Sequence, residues 1–501
     1  MNSSPLLDYL ALTPRERLND AMVAYLANLS ETAKVSPSIA RSIVQELADQ
    51  RANLKLIASE NYCSLATQLT MGNLLTDKYA EGFPFSRFYA GCDNVDQIEA
   101  LACEEACKLF GVEHAYVQPH SGADANLIAY WAILSARVTA PALNELGETN
   151  PSKLSIADWN KLRAQCGNQR LLGLDYYSGG HLTHGYRHNL SAQMFEAHSY
   201  EVNRATGLLD YDAIEKQACE LRPLILLAGY SAYPRRIDFR RMREIADKAG
   251  AVLMVDMAHF AGLVAGGVFS GDNSPIPFAH VVTTTTHKTL RGPRGGAVFC
   301  TKEFAEFVDK GCPMVLGGPL PQVMAAKAIA FTEANQPEFR DYARRIVENS
   351  AALAAACVDE GMTVPTGGTD NHLLLIDVRS FGLTGRQAET AVRRCGITLN
   401  RNSLPFDPNG AWYTSGLRVG TPAVTTLGMG PGEMKEIAAV LKLILAHTKP
   451  ETASDGHGTS KAKFSIDAAA EREARDRIRT LLNSFPVYPQ LDLSFLADRF
   501  L

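Results

Sequence analysis

The chain has 501 residues, room for about three domains at roughly 150 residues each, and its 46% apolar, 21% charged and 8% aromatic residues are the mix of a soluble globular protein. Forty-nine Lys and Arg against 54 Asp and Glu leave a net charge of −5, a balance from which no basic stripe of the kind nucleic acid demands can be read. Uncharged stretches such as 257–271 and 311–326 fall short of the ~18 residues of a membrane helix, and the acids and proline of MNSSPLLDYLALTPRERLND do not match a secretory leader, so a cytoplasmic protein without membrane or nucleic-acid partners is expected.

Short apolar runs alternate with helical segments along the chain, the pattern of a doubly wound α/β sheet. Residues 97–110 carry apolar side chains at helical spacing and stop at Gly111, HAYVQP at 114–119 reads as a strand, and Ser121-Gly122 opens the next helix. LILLAG at 224–229 reads as a buried strand, followed by a helix over 238–249, Gly250 and a second strand at 251–256. HVVTTTT at 280–286 and GAVFC at 296–300 read as neighbouring strands. Beyond about residue 332 the character changes: charged helices at 337–360 and 430–447 surround a strand at 372–378 and a helix opened by Thr384 with Gln387 as capping-box partner, a smaller α+β domain. Residues 449–463 read as a polar linker, 464–485 as a charged helix, and the apolar tail that follows is expected to pack on the body or on a second subunit. The divisions are an N-terminal arm over 1–50, a large domain over 51–332, a small C-terminal domain over 333–448, and a linker and extension over 449–501. Ten cysteines match no CxxC spacing and read as buried free thiols in a reducing cytosol.

Three elements carry chemistry. Lys288 lies in TTTTHKTLRGPRGG at 283–296, after a β-branched strand and before a turn bearing Arg291 and Arg294; an amine so placed can lose its proton and act as a nucleophile. Asp256, in VDMAH, ends an apolar strand, at the edge where open α/β sheets bind ligands. Ser121 and Gly122, in HSGADAN, enter a helix whose first N–H groups can hold a phosphate. A phosphate cup, an acid and a lysine in that order suit pyridoxal phosphate, whose ring nitrogen the acid would hold protonated.

The motifs LIASENY (56–62), KYAEGFP (78–84), RFYAGCDNVDQIE (87–99), VQPHSGADAN (117–126), GGHLTHG (179–185), GYSAY (229–233), VDMAH, TTTTHKTLRGPRGG, GGTDNHL (367–373) and SGLRVGTPA (415–423) resemble serine hydroxymethyltransferases in their order, over roughly 40–445. The resemblance implies fold type I of pyridoxal-phosphate enzymes, a large domain with a mixed, mostly parallel sheet beside a smaller α+β domain, and a homodimer with shared active sites. It implies conversion of serine and tetrahydrofolate to glycine and 5,10-methylenetetrahydrofolate through an aldimine of pyridoxal 5′-phosphate, tetrahydrofolate being the cosubstrate. In those terms Lys288 resembles the Schiff-base lysine, His287 its neighbour and Asp256 the partner of the pyridine nitrogen, while His181 resembles the imidazole stacked on the cofactor. Ser121, Gly122, Ala123, Ser231 and His259 fall at cofactor contacts, and Tyr79 and Gly318 at groups that reach the phosphate of the other subunit's cofactor. Arg418, helped by Ser59, would grip the substrate carboxylate. Glu81 resembles the proton-handling carboxyl and Tyr89 a neighbour of the reacting hydroxyl. Tyr176, Gly180, His181, Leu182, Phe88 and Asn402 fall at folate positions.

Three positions depart from the resembled pattern: Ala123 where Ser is usual, Asp124 where Gln is usual and Phe88 where Tyr is common. An insertion at about 143–165 and the tail beyond 449 lie outside it. Two other classes fit the residues less well. His181, His184 and His188 sit in a Gly-flanked loop with no acid nearby at ligand spacing, so no metal site is expected. A non-catalytic scaffold would have no use for Lys288 beside His287 with Asp256 upstream. Within the enzymes the alternative is a folate-independent aldolase of 3-hydroxy amino acids.

Overall fold

The computed structural model describes residues 4–453 and 458–501. A short helix at Pro5–Leu12 is followed by α1 (Asp20–Val35) and α2 (Pro37–Ala52). After an irregular stretch come α3 (Asp93–Phe110), β1 (His114–Tyr116) and α4 (Gly122–Leu134). Gly111 closes α3 at φ 68°, as expected, but the helix begins at Asp93 rather than at 97, and the strand ends at Tyr116 rather than at 119. The insertion is helical, with turns at Ala140–Glu145 and Ile156–Gly167.

The sheet then builds through β2 (Arg170–Leu174), β3 (Glu196–Tyr200), β4 (Ile225–Gly229), helix α5 (Phe239–Ala249), β5 (Val252–Asp256), β6 (Val281–Thr285) and β7 (Gly296–Cys300). Its seven strands run in the order β1-β7-β6-β5-β4-β2-β3. Strands β2 to β6 are parallel, and β7 is antiparallel to β6 and to β1. Leu226, Leu253 and Val255 pack into the core on one face, Ile225, Leu227 and Met254 into the core on the other. Burial on both faces explains why these strands read as unbroken apolar runs.

Helices α6 (Pro321–Ala334) and α7 (Pro337–Asp359) lead to a second, antiparallel sheet. It contains β8 (Leu373–Asp377), β9 (Asn400–Asn402) and β10 (Gly416–Gly420), ordered β8-β10-β9, with α8 (Gly385–Arg394) between β8 and β9. Thr384 and Gln387 form the expected capping box on α8. With α9 (Pro431–Ala446) these elements enclose a core of their own that includes Leu374, Ile376, Leu417 and Ile437.

The stretch read as a linker is instead an antiparallel hairpin, β11 (Thr448–Thr452) and β12 (Thr459–Ile466), with 454–457 outside the described residues. Along β12 exposed residues alternate with half-buried ones, and Gln387 Nε2 donates to the Ser460 and Lys463 carbonyls at 2.7 and 2.8 Å. The expected helix therefore starts later, as α10 (Ala468–Ser484) behind the Asp467 cap. The apolar tail ends in α11 (Leu493–Phe500), which packs on α2. Leu491 and Leu496 join Met22, Leu26, Val44 and Leu47 in one core, and Arg51 donates to the Val487 and Leu491 carbonyls at 2.9 and 2.8 Å. All ten cysteines are free thiols; five are buried and Cys219 is exposed. No helix among the described residues is long and apolar enough to cross a membrane.

Candidate functional site

Strands β4 and β5 end side by side, Gly229 facing Asp256 across the ladder. At φ 125°, with a Cβ that would lie 2.1 Å from the Asp256 carbonyl oxygen, position 229 admits no side chain. The strand ends, the loop after β6 and the start of α4 open on a cavity of about 780 Å³. Ser59, Ser121, Gly122, Ala123, Tyr176, Gly180, His181, Leu182, Ser231, Asp256, His259, His287, Lys288, Asn402 and Arg418 all line it.

Asp256 is buried. Its Oδ2 accepts from Asn126 Nδ2 at 2.9 Å and His184 Nε2 at 3.1 Å, and its Oδ1 from the Ala258 N–H at 3.0 Å. Burial alone would raise this carboxyl, but hydrogen bonds and the neighbouring imidazoles hold it below the usual range, so it stays ionised. Burial lowers the Lys288 ammonium to about 8, Arg418 and Arg294 add to the effect and Asp256 opposes it. His181 is lowered to about 4, mainly by burial, and is neutral at pH 7. Its Nδ1 accepts the Thr183 N–H at 3.2 Å, so its proton is on Nε2. His259 pairs with His372 (Nδ1 to Nε2, 3.1 Å), and burial lowers both, His372 to about 3.

Arg418 stands on β10 with Nε donating to Asn400 Oδ1 at 3.0 Å and Nη1 to the Ser231 carbonyl at 2.7 Å. Burial lowers it to about 10 and Tyr176 opposes the shift, so the guanidinium keeps its charge with no carboxylate paired to it among the described residues. At the start of α4, a Cβ on Gly122 would meet Thr285 Cγ2 at 2.6 Å; only glycine brings that backbone so close to β6.

Tyr79, Glu81, Phe88, Tyr89 and Gly318 do not line this cavity. They gather on the surface around a short hairpin, Gly82–Phe83 with Ser86–Arg87. Tyr79, Phe88 and Tyr89 are 55, 66 and 46% exposed, the Tyr79 and Tyr89 rings meet edge to face at 5.0 Å, and Tyr79 covers Gly318. The hairpin is anchored from beneath: Arg87 pairs with Asp96 at 2.7 Å and Glu99 at 2.5 Å, and Gln118 Nε2 donates to the Gly82 carbonyl at 2.7 Å.

The expectation that no acid reaches the histidine loop is corrected. Donor atoms of His181, His184 and Asp256 lie within 4.8 Å of one another, because β5 delivers from afar the acid that the loop lacks; His188 is not in the group. His184 Nδ1 accepts the His181 N–H at 3.3 Å, so its Nε2 carries the proton donated to Asp256, and no lone pair of that ring is free for an ion. The group supports Asp256. Sequence alone does not single out Asn126, Thr183, His372 and Asn400 as site residues, and it raises His184 only as a metal ligand. Asn126, Thr183 and His372 lie inside marked motifs, HSGADAN, GGHLTHG and GGTDNHL, and the polar character of each is the available signal.

A mostly parallel sheet with a lysine beyond one strand end, an ionised aspartate at the next and a helix start between them defines an α/β enzyme of fold type I. Residues 32–147 and 162–441 match the family model of serine hydroxymethyltransferase. The chain is 62% identical over 500 residues to the serine hydroxymethyltransferase of Treponema pallidum (strain Nichols), covering 100% of this chain and 87% of that protein. It is 57% identical over 475 residues to that of Salinispora tropica, covering 95% and 99%, and 50% identical over 487 residues to that of Chlamydia trachomatis serovar D, covering 97% and 98%. The chain belongs to the serine hydroxymethyltransferase family.

Proposed function

We propose that this chain interconverts L-serine plus tetrahydrofolate and glycine plus 5,10-methylenetetrahydrofolate, with pyridoxal 5′-phosphate held in the 780 Å³ cavity. The observation that carries the reading is the convergence in that cavity of Lys288 with a lowered pKa, an ionised Asp256 and an Arg418 without a carboxylate partner. The cofactor fits these residues: His287, on the wall, keeps a buried Nδ1 with no hydrogen-bond partner, and the helix start at Ser121 and Gly122 suits a phosphate.

Bound there, pyridoxal phosphate supplies an electron sink for the pair released at the substrate Cα. Lys288 would hold its aldehyde carbon, and Asp256 would keep a proton on its pyridine nitrogen. The neutral His181 ring would lie against the cofactor, with Ser231 and His259 as further contacts and Ser121, Gly122 and the Ala123 backbone around the phosphate. Arg418 and Ser59 would bind the serine carboxylate and align the bond to the hydroxymethyl carbon. Tyr176, Gly180, Leu182 and Asn402 form the wall offered to folate. Tyr79, Glu81, Phe88, Tyr89 and Gly318 would complete the cavity of a second copy in a homodimer, Tyr79 and Gly318 toward its phosphate, Glu81 and Tyr89 at the reacting hydroxyl and Phe88 beside folate. Ten free thiols support a reducing, cytoplasmic setting.

Serine cleavage that rises strongly with added tetrahydrofolate tests the reading. One slow rate with or without folate, alongside brisk cleavage of threonine-like substrates, would point to a folate-independent aldolase.

A further inference from the structure

Asp124 brings to Ser121, a residue of the cavity wall, a carboxylate that the function proposed above does not use. It occupies the first turn of α4, where N–H groups and the helix dipole favour an anion. Ser121 Oγ accepts the Asp124 N–H at 3.2 Å and donates its only proton to Asp124 Oδ2 at 2.9 Å. Ala123 offers no hydroxyl in its place. The buried cation that feels the carboxylate is committed elsewhere: Lys327, on α6 and 1% exposed, spends its three protons on the carbonyls of Val117 (2.6 Å), Pro119 (2.9 Å) and Gly296 (2.9 Å). It feels the Asp124 charge through space without bonding to it.

We propose that Asp124 is an internal competitor for the phosphate at this helix start, a specificity-determining residue that weakens the hold on a phosphate ester by occupying the Ser121 hydroxyl and adding a like charge. The inference rests on the reading that pyridoxal phosphate binds here. A phosphate entering the cup meets a like charge in the first turn of α4, and Ser121 can donate to it only by leaving Asp124.

Equilibrium dialysis of the holoenzyme against graded pyridoxal 5′-phosphate, and separately pyridoxal, tests this in the parent, Asp124→Asn, Ser121→Ala and the double variant. Asp124→Asn should hold pyridoxal phosphate about tenfold tighter, since a charged hydrogen bond and a decade of affinity are of similar size, and should hold pyridoxal unchanged. Ser121→Ala should cost little in the parent and several-fold when combined with Asp124→Asn, an asymmetry that a capping role would not produce. Looser or unchanged phosphate-ester binding in Asp124→Asn overturns the proposal, as does an equal gain for pyridoxal. A parent protein that retains no pyridoxal phosphate overturns the cofactor reading itself, and this inference with it.

Discussion

Replacing Lys288 by methionine should make the cofactor-free protein more stable. Burial in the cavity lowers this ammonium from 10.5 to about 8, with Arg418 and Arg294 adding to the effect and Asp256 opposing it. At 1.36 kcal/mol per unit, carrying the charge into the fold costs about 3 kcal/mol. The unfolded chain holds the proton up to pH 10.5 and the folded one only to about 8, so the full cost applies below pH 8 and fades as pH rises from 8 to 10.5. Methionine fills a similar volume without the charge. Urea unfolding at pH 7 should therefore favour Lys288→Met by about 3 kcal/mol, and at pH 9 by about 2 kcal/mol, since only about 1.5 units remain. The same lowering leaves about one Lys288 amine in ten neutral at pH 7, the form that can attack an aldehyde. A variant no more stable than the parent at pH 7, or a gap that does not narrow at pH 9, would refute the assignment of a destabilised, functional amine.

Other outcomes follow from the same geometry. Arg418→Lys loses the planar fork, and the KM for serine should rise about 10- to 100-fold with cofactor content unchanged; an unchanged KM in steady-state kinetics would remove Arg418 from the substrate. Because the His184 Nε2 proton is donated to Asp256, exhaustive dialysis against a chelator should leave turnover intact, and a loss restored by added zinc would show that the His181–His184–Asp256 group binds an ion. Mixing inactive Lys288→Ala with inactive Glu81→Gln should restore about a quarter of parental activity if sites are shared across a two-fold dimer, since half the dimers are mixed and each has one intact site. No recovery would place Glu81 with its own chain's lysine.

What could be read in the sequence was local. Lys288 follows a β-branched run and Asp256 ends an apolar one, each the mark of a strand, and Ser121-Gly122 sits at a helix start, so the edge of the sheet on which they meet followed from the α/β pattern alone. What supports them is not local. Asn126 reaches Asp256 across 130 positions and His184 across 72, and no periodicity encodes such partners. The hairpin β11–β12 hid behind composition: Thr, Ser and Lys suggested a linker, while the alternation along TSKAKFSI, with Ala462, Phe464 and Ile466 on the half-buried side, is that of a strand. The motifs holding Tyr79, Glu81, Phe88 and Tyr89 marked chemistry without saying that these residues do not line the cavity of their own chain.

The contact between α2 and α11 has a consequence for the order of events during synthesis. Arg51 leaves the ribosome long before its acceptors at Val487, Tyr488 and Leu491, which lie 436 to 440 residues later. The central sheet can close while translation proceeds, but the apolar faces of α1 and α2, with Met22, Leu26, Val44 and Leu47, have no Leu491 or Leu496 to rest on until those two residues have been made. Between those two points the nascent protein displays an uncovered greasy surface, the kind that holding chaperones bind, and a truncation ahead of Val487 would leave that surface permanently bare.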